Sequence, residues 1–77
     1  MDQKEVQAEW GRRIRRLRQA NERTVISVAQ EVGITRRYLY ALERGQYAPS
    51  VSVQLRIAAA LNSDPADLFS YDLAAAS

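Results

Sequence analysis

Hydrophobic residues recur through much of this chain at intervals of three and four positions, the spacing of one face of an α-helix. Val6, Trp10, Ile14 and Leu17 form the first such series, and they predict a helix from about Glu5 to Asn21. The residues between them are mostly charged. The pattern therefore predicts an amphipathic helix with one face in a core.

A second apolar stripe follows, and its members are Val25, Val28, Ala29 and Val32. Thr24 precedes the stripe and suits an N-cap, because its hydroxyl can accept a hydrogen bond from a free backbone N–H of the first turn. Gly33 ends the helix, since glycine adopts the left-handed C-cap conformation at little cost. Thr35 then caps a third helix, which runs from Arg36 to about Glu43 and stops before Gly45.

Two more helices are predicted after a turn at Pro49. Ser50 can cap a fourth helix, Val51 to Leu61, and Asp64 followed by Pro65 is typical of the start of a fifth. The residues expected on the inner face of the fourth helix are Val51, Leu55, Ala58 and Leu61. With no strand pattern, the prediction is an all-α domain over residues 1–70 and a short tail over 71–77.

Composition narrows the functional classes. The 77 residues include no cysteine and no histidine, which removes thiolate metal sites, the commonest metal ligand and the commonest general base. We therefore expect no enzyme activity, no metal site and no cofactor. No apolar run is long enough for a signal peptide or a membrane span, so we expect a cytoplasmic protein without membrane contact.

Charge is distributed unevenly along the chain. Residues 1–44 contain ten basic and six acidic residues, a net of +4, whereas residues 45–77 contain one basic and three acidic residues, a net of −2. The arginines of the first helix are explained most simply as a solvated surface. The basic half as a whole can nevertheless attract a polyanion.

The third helix has two different faces. Leu39 and Leu42 point one way, with Tyr38 at their edge. The residues expected to point the other way are Arg36, Arg37, Tyr40, Ala41 and Arg44. Two short helices joined by a tight glycine turn, the second with a cationic outer face, are typical of a helix-turn-helix motif.

The segment LRQANERTVISVAQEVGITRRYLYALERGQYAPS, from Leu17 to Ser50, resembles the phage repressor and Cro type of helix-turn-helix domain, the XRE family. The resemblance extends over about residues 10–69. It implies a compact, five-helix, lambda-repressor-like fold. It also implies a transcriptional regulator, most often a repressor, that binds a palindromic operator in double-stranded DNA as a homodimer.

The resemblance also implies residue roles. The side chains expected to contact bases are Arg36, Arg37, Tyr40 and Ala41. Those expected to contact phosphates are Arg23, Thr24, Thr35, Tyr38, Arg44 and Gln46. Arg18 and Glu43 match a pair that often forms an ion pair between the first and third helices, and we interpret this pair as structural.

Some positions depart from the family pattern. Val25 stands where a phosphate-binding glutamine is common, and Arg23 is a candidate to replace that contact. Beside Ile26, Val25 is also a candidate for an exposed apolar patch. Gln54 replaces a common core leucine, and Leu55 is expected to compensate by shifting the packing of the fourth helix.

Two questions stay open at this point. A protein-interaction adaptor or an antitoxin with the same fold, and with a protein as its main partner, is the alternative function. The Val25–Ile26 patch favours it, and the arginines of the third helix oppose it. For the dimer surface, the first candidate is the C-terminal group of Leu68, Phe69, Tyr71 and Leu73, and the second is the Val25–Ile26 patch.

Overall fold

The computed structural model describes residues 2–70, and within them the fold is all-α, as predicted. No helix in this part of the chain is long and apolar enough to cross a membrane. The predicted tail, residues 71–77, lies outside the described residues. The five helices are α1 Gln3–Ala20, α2 Val25–Val32, α3 Arg36–Glu43, α4 Val51–Ala60 and α5 Pro65–Leu68.

Each helix begins at a side chain that accepts a hydrogen bond from a backbone N–H of the first turn, which satisfies one of the donors left free there. Thr35 Oγ1, for example, accepts from the Tyr38 N–H at 3.0 Å and so fixes the start of α3. The five N-caps are Asp2, Thr24, Thr35, Ser50 and Asp64. The last four confirm the predicted caps, whereas α1 starts at Gln3, two residues earlier than expected, because Asp2 caps it.

The helices pack around one apolar core. α1 contacts α3 and α5, α2 contacts α3 and α4, and α4 also contacts α5. Every predicted member of the α2 stripe is buried. The largest fully buried side chains are Ile14, Leu39, Leu42, Ile57, Leu61, Leu68, Val28 and Val32.

Two glycines set the distance between α1 and α3. A Cβ atom on Gly11 would lie 2.5 Å from the carbonyl oxygens of both Leu42 and Glu43. At the far end of α3, Gly45 has a φ of +75°, and a Cβ there would lie 2.6 Å from the Cα of Ala8. The backbones of the two helices therefore approach more closely than any side chain at these positions would permit.

The predicted inner face of α4 is partly wrong. Ala58 and Leu61 are buried, but Val51 and Leu55 are 69% and 52% exposed. The inner positions belong to Val53 and Ile57 instead. Leu55 therefore does not compensate for Gln54, whose side-chain amide donates to the Pro49 carbonyl oxygen at 3.0 Å.

The predicted C-terminal dimer surface is also wrong for the two residues that the structure describes. Leu68 and Phe69 are 2% and 7% exposed, so they belong to the core. Phe69 packs edge-on against Trp10, with ring centroids 5.7 Å apart, and the Trp10 indole N–H donates to the Ser70 carbonyl oxygen at 3.0 Å. The long N-terminal helix provides the partner that a short fifth helix lacks. Tyr71 and Leu73 lie outside the described residues.

Candidate nucleic-acid interface

The turn between α2 and α3 is held by hydrogen bonds at both of its sides. Gly33 has a φ of +83°, and its N–H and that of Ile34 both donate to the Ala29 carbonyl oxygen, at 2.9 and 3.0 Å. From α4, Arg56 Nη1 donates to the Val32 carbonyl oxygen at 2.8 Å. The direction in which α3 leaves the turn is therefore fixed by both the turn and α4.

An ion pair attaches α3 to α1 at its other end. Arg18 Nε and Nη2 donate to the two carboxylate oxygens of Glu43 at 2.7 and 3.0 Å, and the two side chains are 13% and 5% exposed. Arg18 Nη1 also donates to the Arg23 carbonyl oxygen at 3.1 Å. The hydrogen bonds from Glu43 raise the pKa of the Arg18 guanidinium, against the effect of burial. The pair predicted from the sequence is present, and it bridges α1, α3 and the loop after α1.

The exposed face of α3 is basic and aromatic. Arg36, Arg37 and Arg44 are exposed, and Tyr40 is 46% exposed. These four side chains line one shallow hollow. They come together because helical positions one turn apart, or nearly so, lie on the same side of the helix.

A second hollow lies next to the first and shares Arg37 and Arg44 with it. Thr35, Tyr38 and Gln46 line it, which places three predicted phosphate contacts beside Arg44. Tyr47 completes it, with its ring 6.0 Å from that of Tyr38, and is 56% exposed. Sequence reasoning missed Tyr47, although an aromatic residue in a polar turn directly after α3 was a signal for it.

The basic surface continues from α3 onto α1. A third hollow is lined by Arg15 together with Tyr40 and Arg44, above the Arg18–Glu43 pair. Sequence reasoning treated Arg15 only as one of several solvated arginines. Its position one turn before Arg18 was the available signal, because Arg18 was already expected to contact α3.

Ion pairing separates the arginines into two groups. Arg12, Arg13 and Arg16 all pair with Glu9, and the hydrogen bond from Arg12 lowers the pKa of that carboxyl group. Arg18 and Arg23 have carboxylate partners of their own. Within residues 2–70, the arginines that line the three hollows on α3 without a carboxylate partner are Arg15, Arg36, Arg37 and Arg44. The positive charge of this surface is therefore uncompensated by the protein itself.

Ala41 does not lie on the exposed face as predicted. It is 6% exposed. The Gln46 N–H donates to the Ala41 carbonyl oxygen at 3.0 Å, so the turn after α3 folds back beside it. Ala41 lines the inner part of the second hollow, below the longer Arg37 and Tyr38 side chains.

Two predicted phosphate contacts lie apart from the three hollows on α3. The Arg23 guanidinium is already engaged: it donates to Ser27 Oγ at 3.1 Å, to the Ala60 carbonyl oxygen at 3.2 Å and to Glu31 at 2.9 Å. Thr24 Oγ1 accepts from the Ser27 N–H at 3.0 Å as the cap of α2. Neither residue lines the surface formed by α3 and the turn after it.

The Val25–Ile26 patch is also reduced. Val25 is 6% exposed and belongs to the core, because it is the first member of the buried α2 stripe. Ile26 alone is exposed, at 49%. A single exposed isoleucine is ordinary on a protein surface.

The fold and the position of this surface define the class of the protein. Two short helices joined by a three-residue turn, with the second presenting an uncompensated basic face, constitute a helix-turn-helix domain. The family described as helix-turn-helix domain matches residues 9–69. The chain belongs to this family.

Individual proteins similar to this chain carry the same domain. An uncharacterized HTH-type transcriptional regulator from Archaeoglobus fulgidus is 37% identical over 60 residues, which cover 78% of this chain and 86% of that protein. The crystal structure of the restriction-modification controller protein C.AhdI from Aeromonas hydrophila has a TM-score of 0.77 and 35% identity, covering 80% of this chain and 94% of that one. The clp gene regulator ClgR from C. glutamicum has a TM-score of 0.77 and 25% identity, covering 82% of each chain.

Proposed function

We propose that this protein is a DNA-binding transcriptional regulator that inserts α3 into the major groove and binds a palindromic operator as a dimer. Repression, by occupation of the operator, is the proposed effect. The observation that carries the proposal is the set of arginines without carboxylate partners on and beside α3. A surface with this charge and these exposed tyrosines matches the phosphates and base edges of duplex DNA.

The similar proteins support the same function. One relative is named as a transcriptional regulator, one structural neighbour as a controller protein and another as a gene regulator. The turn beside Thr35 places the N-terminal end of α3 outermost, which is the end that meets base edges in this motif. Arg36 and Arg37 are therefore the proposed base contacts, with Tyr40 beside them.

Phosphate contacts are proposed for the rim of the surface. Thr35, Tyr38, Arg44 and Gln46 surround the second hollow, and Arg15 extends the rim onto α1. Hydroxyl, amide and guanidinium groups of this kind position a protein on the DNA backbone without reading sequence. Arg23 and Thr24 are left out of this set because their polar groups are already bonded within the protein.

The adaptor alternative loses the observation that favoured it. It was based on an apolar patch of two residues, and one of them, Val25, is buried. An adaptor also has no use for unpaired arginines along α3. We therefore do not propose a toxin or another protein as the main partner.

Arg36→Ala is expected to weaken binding to a selected operator more than binding to random DNA. Arginine makes two hydrogen bonds to guanine O6 and N7, and such a pair contributes about 1–3 kcal/mol of discrimination. The operator is first obtained by selecting bound sequences from a random duplex pool. Affinities for the operator and for a scrambled duplex are then measured by gel shift at one salt concentration.

Arg12→Ala is the matched control, because Arg12 is equally exposed but pairs with Glu9 and lines none of the three hollows on α3. It should leave the specificity ratio unchanged. An equal loss on both duplexes for Arg36→Ala would make Arg36 a phosphate contact. Failure of the parent protein to enrich any sequence from the pool would contradict the proposed function.

Arg44→Ala is expected to weaken binding to every duplex alike and to reduce its dependence on salt. Each phosphate neutralised by a protein cation contributes about 0.9 to the slope of log affinity against log salt, because counterions are released. The measurement is a salt titration of affinity for the operator and for the scrambled duplex. Arg16→Ala, at an exposed arginine that pairs with Glu9, is the control. An unchanged slope for Arg44→Ala would show that Arg44 does not reach the backbone.

A further inference from the structure

Helix α4 is apolar on two sides. Its inner side contributes Val53, Ile57 and Leu61 to the core. Its outer side carries Val51, 69% exposed, and Leu55, 52% exposed, with the exposed Ala59 one turn further on. A helix that covers a monomeric core normally has a polar outer side. We call Val51, Leu55 and Ala59 the α4 outer stripe.

The surroundings of the α4 outer stripe are neutral. Between Gly45 and Ser63 the only charged residue is Arg56. Its guanidinium donates to the carbonyl oxygens of Val32 and Ser52, at 2.8 and 3.4 Å, so it is turned toward the protein's own backbone. A neutral apolar surface offers nothing to DNA phosphates, and it matches a surface that is itself neutral and apolar.

We propose that the α4 outer stripe is the surface on which a second copy of this chain binds. In a two-fold symmetric contact the same patch serves both subunits, so a surface without charge meets no like charge. Contacts through the cationic faces of α1 or α3 would instead bring arginines together. The inference rests on the proposed function, since it names the partner surface of the proposed dimer.

The dimensions of the domain fit this arrangement. Its Cα extents are 37 × 21 × 21 Å. Two copies side by side across a helix–helix contact, whose axes lie about 8–10 Å apart, have centres roughly 30 Å apart, close to the ~34 Å of one DNA turn. The turn that carries Gln46 and Tyr47 leads directly into α4, so the DNA-facing surface of each copy lies beside the contact.

The contact is small. It consists of two large side chains and an alanine per copy, well below the about 800 Å² per partner of a stable protein–protein interface. The dimer is therefore weak in free solution and becomes stable when adjacent half-sites of DNA hold the two copies together.

Cross-linking tests the surface directly, because the chain contains no cysteine. Leu55→Cys introduces one thiol on the α4 outer stripe, and Ile26→Cys introduces one at a residue of similar exposure, 49%, on α2. Both are oxidised at high protein concentration, alone and with operator DNA. We expect a disulfide-linked dimer for Leu55→Cys and not for Ile26→Cys. The reverse result would overturn the inference, as would no cross-link for Leu55→Cys under either condition.

A charge on the stripe provides the second test. Leu55→Lys should keep the helical circular dichroism and the affinity for a single half-site. On DNA with two half-sites we expect it to lose cooperativity at least tenfold, whereas Ile26→Lys keeps it. Undiminished cooperativity in Leu55→Lys would overturn the inference. A parent protein that forms the Leu55→Cys cross-link but binds no DNA would contradict the proposed function and leave this surface standing.

Discussion

Gly11→Ala is expected to destabilise the domain, although alanine is the better helix former. In an ordinary helix interior the change would stabilise by about 1 kcal/mol. Here the new Cβ would lie 2.5 Å from two carbonyl oxygens of α3, those of Leu42 and Glu43. Backbone atoms cannot rotate aside as a flexible side chain can, so α1 and α3 must separate along their contact.

The expected loss is large relative to the stability available. Overpacking a well-packed site costs typically about 1–3 kcal/mol, and occasionally more. At roughly 0.05–0.15 kcal/mol per residue, a domain of this size has only about 4–12 kcal/mol in total. We therefore expect Gly11→Ala to lose at least about 2 kcal/mol, at the upper part of the overpacking range. Gly11→Val, whose side chain is larger, is expected to prevent folding.

Urea denaturation followed by circular dichroism measures this effect. Gln19→Ala is the control, because Gln19 is exposed on the same helix and should change stability little. Loss of stability in Gly11→Ala should be accompanied by weaker DNA binding, since α3 is then no longer held in place. A Gly11→Ala protein as stable as the parent would show that α1 and α3 do not approach this closely in solution.

Much of the fold follows from local chemistry. The caps at Thr24, Thr35, Ser50 and Asp64 were predicted because each depends on one side chain and the backbone next to it. The turn at Gly33 was predicted for the same reason. α2 and α3 therefore begin and end where the sequence indicated, and the exposed arginines of α3 lie on the expected face.

The errors concern surfaces whose neighbours are distant in sequence. α4 has apolar residues on most of its circumference, so periodicity does not choose its inner side; contact with α2 and α5 does. Phe69 was placed outside because its partner, Trp10, lies at the other end of the chain. Gly11, Arg15 and Tyr47 were overlooked because their roles depend on the crossing of α1 and α3 and on the path of the turn after α3.

Glu43→Gln is expected to destabilise the domain by about 3–5 kcal/mol, the usual effect of removing one partner of a buried ion pair. Glutamine keeps the size of the side chain but not its charge, and it leaves the Arg18 guanidinium buried without a counterion. The raised pKa of Arg18 means that this guanidinium does not escape the penalty by releasing its proton. Thermal and urea denaturation measure the loss.

Glu9→Gln is the matched control, because Glu9 also bonds arginines but does so at the surface, where such pairs contribute about 0.2–1 kcal/mol. A double variant, Arg18→Met with Glu43→Leu, separates the cost of a stranded charge from the contribution of the pair. If the stranded guanidinium dominates, the double variant is more stable than Glu43→Gln, since apolar residues can replace a buried pair at little cost. A double variant less stable than Glu43→Gln would instead show that the ion pair itself holds α3 against α1, through the bonds from Arg18 to Glu43 and to the loop at Arg23.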